Sequence, residues 1–210
     1  MILIGQYDSP FVRRVAVTLQ YYDMPFKRRV ISVYGDFERM LAVNPLGKVP
    51  ALLLDSGEVL FDSQMILDHL DEAAGPERAL TPPRGAARRR VLRRVAVGLG
   101  LAEKAVALRV ELFRRKPGTT DPAWAERLEQ QILNSLRWLE GESPAAREAA
   151  GPWFSGSRLM QDDVTAAVAH SFLVNKLPDL LARQACPLLE GLAARCEALP
   201  CFQAVPFVEG

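Results

Sequence analysis

Apolar positions in the first third of the chain change their period repeatedly. Met1-Ile2-Leu3-Ile4 is an apolar run of strand length. After a loop from Gly5 to Ser9, Phe11, Val12, Val15, Leu19 and Tyr22 recur at three and four, and Met24-Pro25 closes the helix they predict. Phe26 to Val33 reads as a second strand, followed by a short helix through Phe37, Met40 and Leu41. That helix stops at Asn44-Pro45-Leu46-Gly47, a turn by composition. Two strands follow, Ala51 to Asp55 and Val59 to Phe61, joined through Ser56-Gly57. A helix with Ile66, Leu67 and Leu70 on one face completes the order β-α-β-α-β-β-α. A helical crossover between parallel strands requires a sheet covered by helices.

Beyond Gly75-Pro76 the pattern breaks, and Thr81-Pro82-Pro83-Arg84-Gly85 reads as linker. The expected domains are residues 1–78 and 87–210, with 79–86 between them. The second is expected to be all helix. Val91, Leu92, Val95, Leu99, Ala102 and Val106 predict one long amphipathic helix from 87 to about 115. Gly98 and Gly100 sit inside it, each costing about 1 kcal/mol against alanine. Such a cost suggests close approach by another helix, or simple tolerance. Further helices are predicted from Pro122 to Leu139, Asp163 to Lys176 and Pro187 to Leu199.

Composition adds limits. In 210 residues, 49% are hydrophobic and 24% charged, enough for a soluble chain to bury a core. The net charge of +1 gives no reason to expect nucleic acid. Residues 1–78 hold 8 basic against 11 acidic groups, and residues 79–210 hold 18 against 14. The run Arg88-Arg89-Arg90 with Arg93 and Arg94 reads as a solvated helix face. No apolar segment approaches the roughly 20 residues of a membrane span, and no signal peptide is expected. Cys186, Cys196 and Cys201 lack zinc-type spacing, and with only His69 and His170 beside them no metal is expected. A reducing cytoplasm is the expected location.

Three local features raise chemical questions. Pro50 opens a strand, where an edge-strand trans bond and a cis bond are both open. Asp62-Ser63 precedes a helix, where such residues either cap it or help its free amides to hold an anion. Ser9-Pro10 is likewise a cap followed by a first-turn proline. Further along, Asp163 would complete a capping box with a threonine or serine at position 160. Met160 stands there instead, and restoring the hydroxyl would be expected to add about 0.5–1 kcal/mol.

Five segments in order carry a resemblance across essentially the whole chain. They are Ser9-Pro10-Phe11-Val12-Arg13-Arg14-Val15, Asn44 through Leu52, Asp62-Ser63-Gln64-Met65-Ile66, Ser155-Gly156 with Asp163, and Leu199-Pro200-Cys201-Phe202. Together they resemble the cytosolic glutathione transferases of the bacterial serine or tyrosine type. The resemblance implies a thioredoxin-like βαβαββα domain followed by an all-helical domain. It also implies a cytoplasmic homodimer, with glutathione as co-substrate.

The resemblance further implies site residues. Pro50 would be cis, turning the backbone of Val49 toward the cysteinyl part of glutathione. Ser63 would hold the γ-glutamyl carboxylate and Asp62 the α-amino group, although the family more often has glutamate there. Lys48 would meet the glycyl carboxylate, unless it is simply solvated. Ser9 would donate to the thiolate, with Tyr7 as the alternative. Phe11, Leu99 and Val106 would line the pocket for the electrophile. A glutathione-dependent transferase or isomerase acting on a small electrophile follows. A binding factor of the stringent-starvation type and a glutathione-dependent thiol reductase are the alternatives. The reductase lacks a cysteine at position 9.

Overall fold

The computed structural model describes residues 1–143 and 151–208. The chain forms two compact units, Met1–Pro83 together with the chain from Ala198 onward, and Arg84–Glu197. Residues from Ala198 thus group with the first unit rather than with the helices before them.

The first unit contains β1 (Ile2–Ile4), α1 (Pro10–Tyr21), β2 (Lys27–Arg29), α2 (Phe37–Leu41), β3 (Ala51–Leu53), β4 (Val59–Phe61) and α3 (Ser63–Ala74). Its sheet has the order β2-β1-β3-β4, with β1 parallel to β2 and the other pairs antiparallel. This is the thioredoxin-like arrangement. Leu3, Ile4, Ala51 and Leu52 are fully buried on the inner strands, while all three β2 residues are exposed. The strand read from Phe26 to Val33 therefore shrinks to three residues. Lys27, Arg28 and Arg29 carry it through parallel pairing with β1, without a buried face of their own.

Tyr22 and Asp71 organise the end of this unit. The Tyr22 hydroxyl donates to Asp71 Oδ1, and Leu80 N–H donates to the Tyr22 oxygen at 2.6 Å. Asp71 also accepts from Leu80 N at 3.1 Å and Thr81 N at 3.2 Å. The chain at 79–81 is consequently pinned and buried, although its composition alone reads as linker. A short helix, which becomes α9 in chain order (Pro200–Gln203), packs on α1. There Arg13 Nε donates to Val205 O at 2.9 Å, and its guanidinium lies over Phe202.

The second unit holds α4 (Gly85–Phe113), α5 (Pro122–Glu142), α6 (Gln161–Lys176), α7 (Pro178–Leu181) and α8 (Pro187–Glu197). Helix α6 is buried along almost its full length and packs against α4 and α8. Gly98 permits one of these contacts. A Cβ there would stand 3.0 Å from Thr165 Cγ2 of α6, whereas nothing approaches Gly100. The close approach inferred at Gly98 is therefore made within this chain and gives no argument for a second copy.

Arg94 departs from the rest of its basic run. It is buried, and its guanidinium binds Glu142 at 3.0 Å and Asp162 at 3.2 Å. Arg89, Arg90 and Arg93 stay exposed, as expected of a solvated face. None of the described helices is long and apolar enough to cross a membrane.

Candidate functional site

Gly5 ends β1 with φ +137°, and a side chain there would collide with Val12 Cγ2 at 2.5 Å. The same hypothetical Cβ would lie 3.1 Å from Val49, so this glycine lets the loop before Pro50 close on α1. Ser9 is the N-cap of α1, its extended backbone followed by Pro10 in the first turn. Ser9 Oγ accepts from Val12 N at 3.4 Å. That bond occupies a lone pair and leaves the hydroxyl proton free to donate.

Tyr7 is buried, with the Arg28 guanidinium 3.9 Å from its ring centroid. Burial pushes the phenol above its ordinary value, and Arg28 partly offsets that shift. The hydroxyl is therefore protonated at neutral pH.

The turn before Pro50 is built around Asn44, which is buried. Its Nδ2 donates to Lys48 O at 2.7 Å, and its Oδ1 accepts from Leu46 N at 3.0 Å. Gly47 adopts φ +60°, and an added Cβ would meet the Phe37 ring at 2.3 Å. Only glycine satisfies both demands. The Val49–Pro50 bond is cis. Neither the N–H nor the C=O of Val49 bonds to another described residue. Lys48 is exposed.

Helix α3 starts under strain. Asp62 has φ +69° and ψ 128°, while its exposed side chain caps Gln64 N–H at 2.7 Å. Such a conformation costs a non-glycine residue on the order of 1–3 kcal/mol and clusters where ligands are held. It leaves the Ser63 N–H without an acceptor among the described residues, at a helix end whose partial positive charge favours an anion.

Behind this start lies Arg14. It is 1% exposed, donates from Nη1 to Ser63 Oγ at 3.2 Å, and reaches Gln64 Oε1 at 3.5 Å. Its Nε is buried without a partner. Burial lowers its pKa to about 9, with Asp62 and then Asp71 pulling it back up, so the guanidinium remains charged at neutral pH. A fixed cation therefore sits beneath the anion-receptive end of α3. Sequence reading quoted Arg14 within a motif but gave it no role. Its only signal is a charged residue on the helix face that Val15 and Leu19 mark as core.

The structure thus ties Ser63 to α1 through Arg14, and brings Val49 close to Val12 at Gly5, near the Ser9 cap. Phe11 lies half-buried at the start of α1. Leu99 and Val106 are half-buried on α4, where Leu99 packs against the cluster of Val91, Val95 and Met160. Cys186, Cys196 and Cys201 are all buried free thiols. Burial raises the pKa of Cys201 and Cys186, so neither has the character of an activated thiolate.

A thioredoxin-like βαβαββα sheet domain followed by an all-helical region is the architecture of glutathione transferases. The profile of the glutathione S-transferase N-terminal domain matches residues 3–78. A glutathione transferase family member from Pseudomonas fluorescens Pf-5, solved with bound glutathione, is 31% identical. The alignment covers 97% of each chain with a TM-score of 0.84. The same description applies to a structure with bound S-(propanoic acid)-glutathione, with 98% of each chain covered and a TM-score of 0.82 at 31% identity. A glutathione S-transferase from Methylobacillus flagellatus, also with glutathione bound, is 26% identical over 99% of each chain with a TM-score of 0.88. An uncharacterised GST-like protein of Escherichia coli, YibF, is 35% identical over 71 residues, 34% of this chain and 35% of its own. The chain belongs to the glutathione transferase family.

Proposed function

We propose that this protein binds glutathione on its first unit and activates the thiol for attack on a small electrophile. The observation that carries the reading is the strained start of α3, where exposed Asp62 and the acceptor-less Ser63 N–H stand over the charged, buried Arg14. In this reading Ser63 N–H and Oγ receive the γ-glutamyl carboxylate, and Asp62 receives the α-amino group. The unpaired N–H and C=O of Val49 accept the cysteinyl backbone as an added strand would, with Lys48 toward the glycyl carboxylate. Solvent takes the thiol proton, and the thiolate accepts a hydrogen bond from the Ser9 hydroxyl at the positive end of α1. Lowering a thiol pKa by about two units requires only ~2.7 kcal/mol.

The glutathione-bound family members from Pseudomonas fluorescens and Methylobacillus flagellatus support the ligand. The alternative thiol reductase finds no support in three buried cysteines. A cytoplasmic homodimer belongs to the same reading, and sedimentation at micromolar concentration checks its assembly.

Retention on immobilised glutathione, followed by turnover against a panel of electrophiles, tests the proposal. Ser9→Ala is expected to lower turnover ten- to a thousand-fold, roughly 1.4–4 kcal/mol, while glutathione affinity stays within a few-fold. Tyr7→Phe is expected to do little. The reversed outcome would transfer the activating role to Tyr7. Failure to retain glutathione would reject the reading altogether.

A further inference from the structure

Helix α6 packs against α8, and one polar cluster lies between them inside the second unit. His170 stands on α6 and is 7% exposed, and its Nε2 is buried with no hydrogen-bond partner. Cys186 immediately precedes α8, and its carbonyl accepts from Glu190 N at 2.9 Å, which opens the helix. Glu190 therefore stands one turn above Cys186, with its Oε1 4.0 Å from the Cys186 sulfur. One ligand-capable atom from each of His170, Cys186 and Glu190 lies within 4.8 Å of the others.

We propose that His170, Cys186 and Glu190 form a site for one divalent cation of the zinc class. An imidazole, a thiolate and a carboxylate match the mixed nitrogen, sulfur and oxygen donors that zinc takes. Calcium and magnesium, which take oxygen ligands almost alone, are disfavoured. The charges balance, because thiolate and carboxylate supply two negatives and neutral imidazole none. Zinc-ligand bonds of about 2.0–2.3 Å put tetrahedral ligand atoms roughly 3.3–3.8 Å apart. The Cys186–Glu190 pair, at 4.0 Å, is a few tenths of an ångström wider. The three atoms together lie within 4.8 Å, so metal binding draws them in by up to about 1 Å, with exposed Glu190 moving most easily. Three protein ligands leave the fourth position to water.

The surroundings favour a cation. Glu140 faces this end of α8 and accepts from Leu188 N and Leu189 N at 3.0 and 2.8 Å. Burial raises the Cys186 thiol pKa to about 11, and the charges of Glu190 and Glu140 add to that shift. Burial lowers the His170 pKa, against the pull of Glu190 and Glu197. Metal binding displaces the single thiol proton to buffer and leaves imidazole neutral, the form in which it ligates. A shallow cavity of about 240 Å³, lined in part by His170, Glu190 and Glu197, gives access from solvent.

Co²⁺ titration of the reduced, chelator-treated full-length protein tests the site. One equivalent should produce a thiolate-to-cobalt charge-transfer band in the near ultraviolet, and one equivalent of Zn²⁺ should abolish it. Cys186→Ser should remove the band, and Glu190→Gln should raise the Co²⁺ Kd at least tenfold. Cys201→Ser, which lies in the other unit, should change neither. No thiolate band at equimolar Co²⁺, or a band that persists in Cys186→Ser, would overturn the proposal. Because Cys186 is buried and its variant risks misfolding, exposed Glu190→Gln is decisive alone. An unchanged Kd there overturns the three-ligand site.

Discussion

At the start of α3, Asp62 caps the helix from an exposed position with φ +69°, and Ser63 N–H meets no acceptor among the described residues. At the start of α6, by contrast, Asp163 is fully buried and accepts from Phe154 N and Met160 N, both at 2.8 Å. Asp163 N–H is taken in turn by Asp162 Oδ1 at 3.2 Å, and Asp162 pairs with Arg94. Both helix starts use acidic caps, and both have a buried arginine nearby. At α6 the backbone amides of Phe154, Met160 and Asp163 all have carboxylate acceptors in a buried setting, so the cap joins loop to helix. At α3 the cap is strained and the Ser63 N–H is left without an acceptor, an arrangement useful only if something else supplies one. Residue type is common to the two; burial and donor satisfaction separate structure from binding.

The comparison breaks most sharply at Asp163. Asp163→Ala leaves two buried N–H groups without acceptors and is expected to cost about 2–4 kcal/mol in urea unfolding. Glutathione retention per folded molecule should not change. Burial, and then repulsion from Asp162, raises the Asp163 pKa to about 8. A carboxyl raised in this way binds its proton more tightly when folded, so it stabilises below its unfolded pKa and loses that effect as pH rises through the folded value. The urea midpoint should therefore fall as pH increases from about 5 to about 8, and Asp163→Asn should flatten the fall. An equal slope in both proteins would assign the pH dependence to other groups.

At α3 the next effect is on ligand rather than fold. Arg14→Met removes the cation beneath the helix start and should weaken glutathione about ten- to a hundredfold, read by titration calorimetry. Its unfolding free energy should move less, because replacing a buried charge by a packed apolar chain is often neutral. A large loss of stability with unchanged affinity would make Arg14 a structural residue like Arg94.

Asp62→Asn sharpens the contrast further. Asparagine tolerates positive φ and keeps an oxygen for Gln64 N–H, but lacks the charge proposed to meet the ligand amine. Affinity should fall about tenfold, or ~1.4 kcal/mol, with the denaturant midpoint nearly fixed. Equal affinity would reduce Asp62 to a cap alone.

How much of this was legible depended on whether one chain segment held the information. Phe11, Val12, Val15 and Leu19 marked the buried face of α1, and Ser9-Pro10 marked its start, because period and capping are local. The short α7 and α9 were missed, since four residues cannot display a period. Arg94 read as solvated and Arg14 was given no role, because the partners that hold them, Asp162 and Ser63, lie far along the chain. The His170–Cys186–Glu190 cluster was invisible for the same reason. Its members join two helices, and no spacing rule links a histidine in one to a cysteine before the other.

Met160 gives the smallest effect and the most direct check on reading caps from sequence. Pattern alone expects Met160→Thr to stabilise α6 by restoring a hydroxyl acceptor. In the structure the Asp163 N–H that such a hydroxyl would serve already has Asp162 Oδ1. Met160 is itself only 8% exposed and packs against Val91 and Val95 of α4. The substitution would exchange apolar contact for a bond whose donor is taken, and would bury a hydroxyl besides. The expected result is a loss of about 1 kcal/mol in urea unfolding, where the sequence pattern expects a gain. A midpoint that rises would mean that the threonine displaces Asp162 as acceptor, freeing that carboxylate for Arg94. The start of α6 would then have room for improvement that its dense bonding conceals.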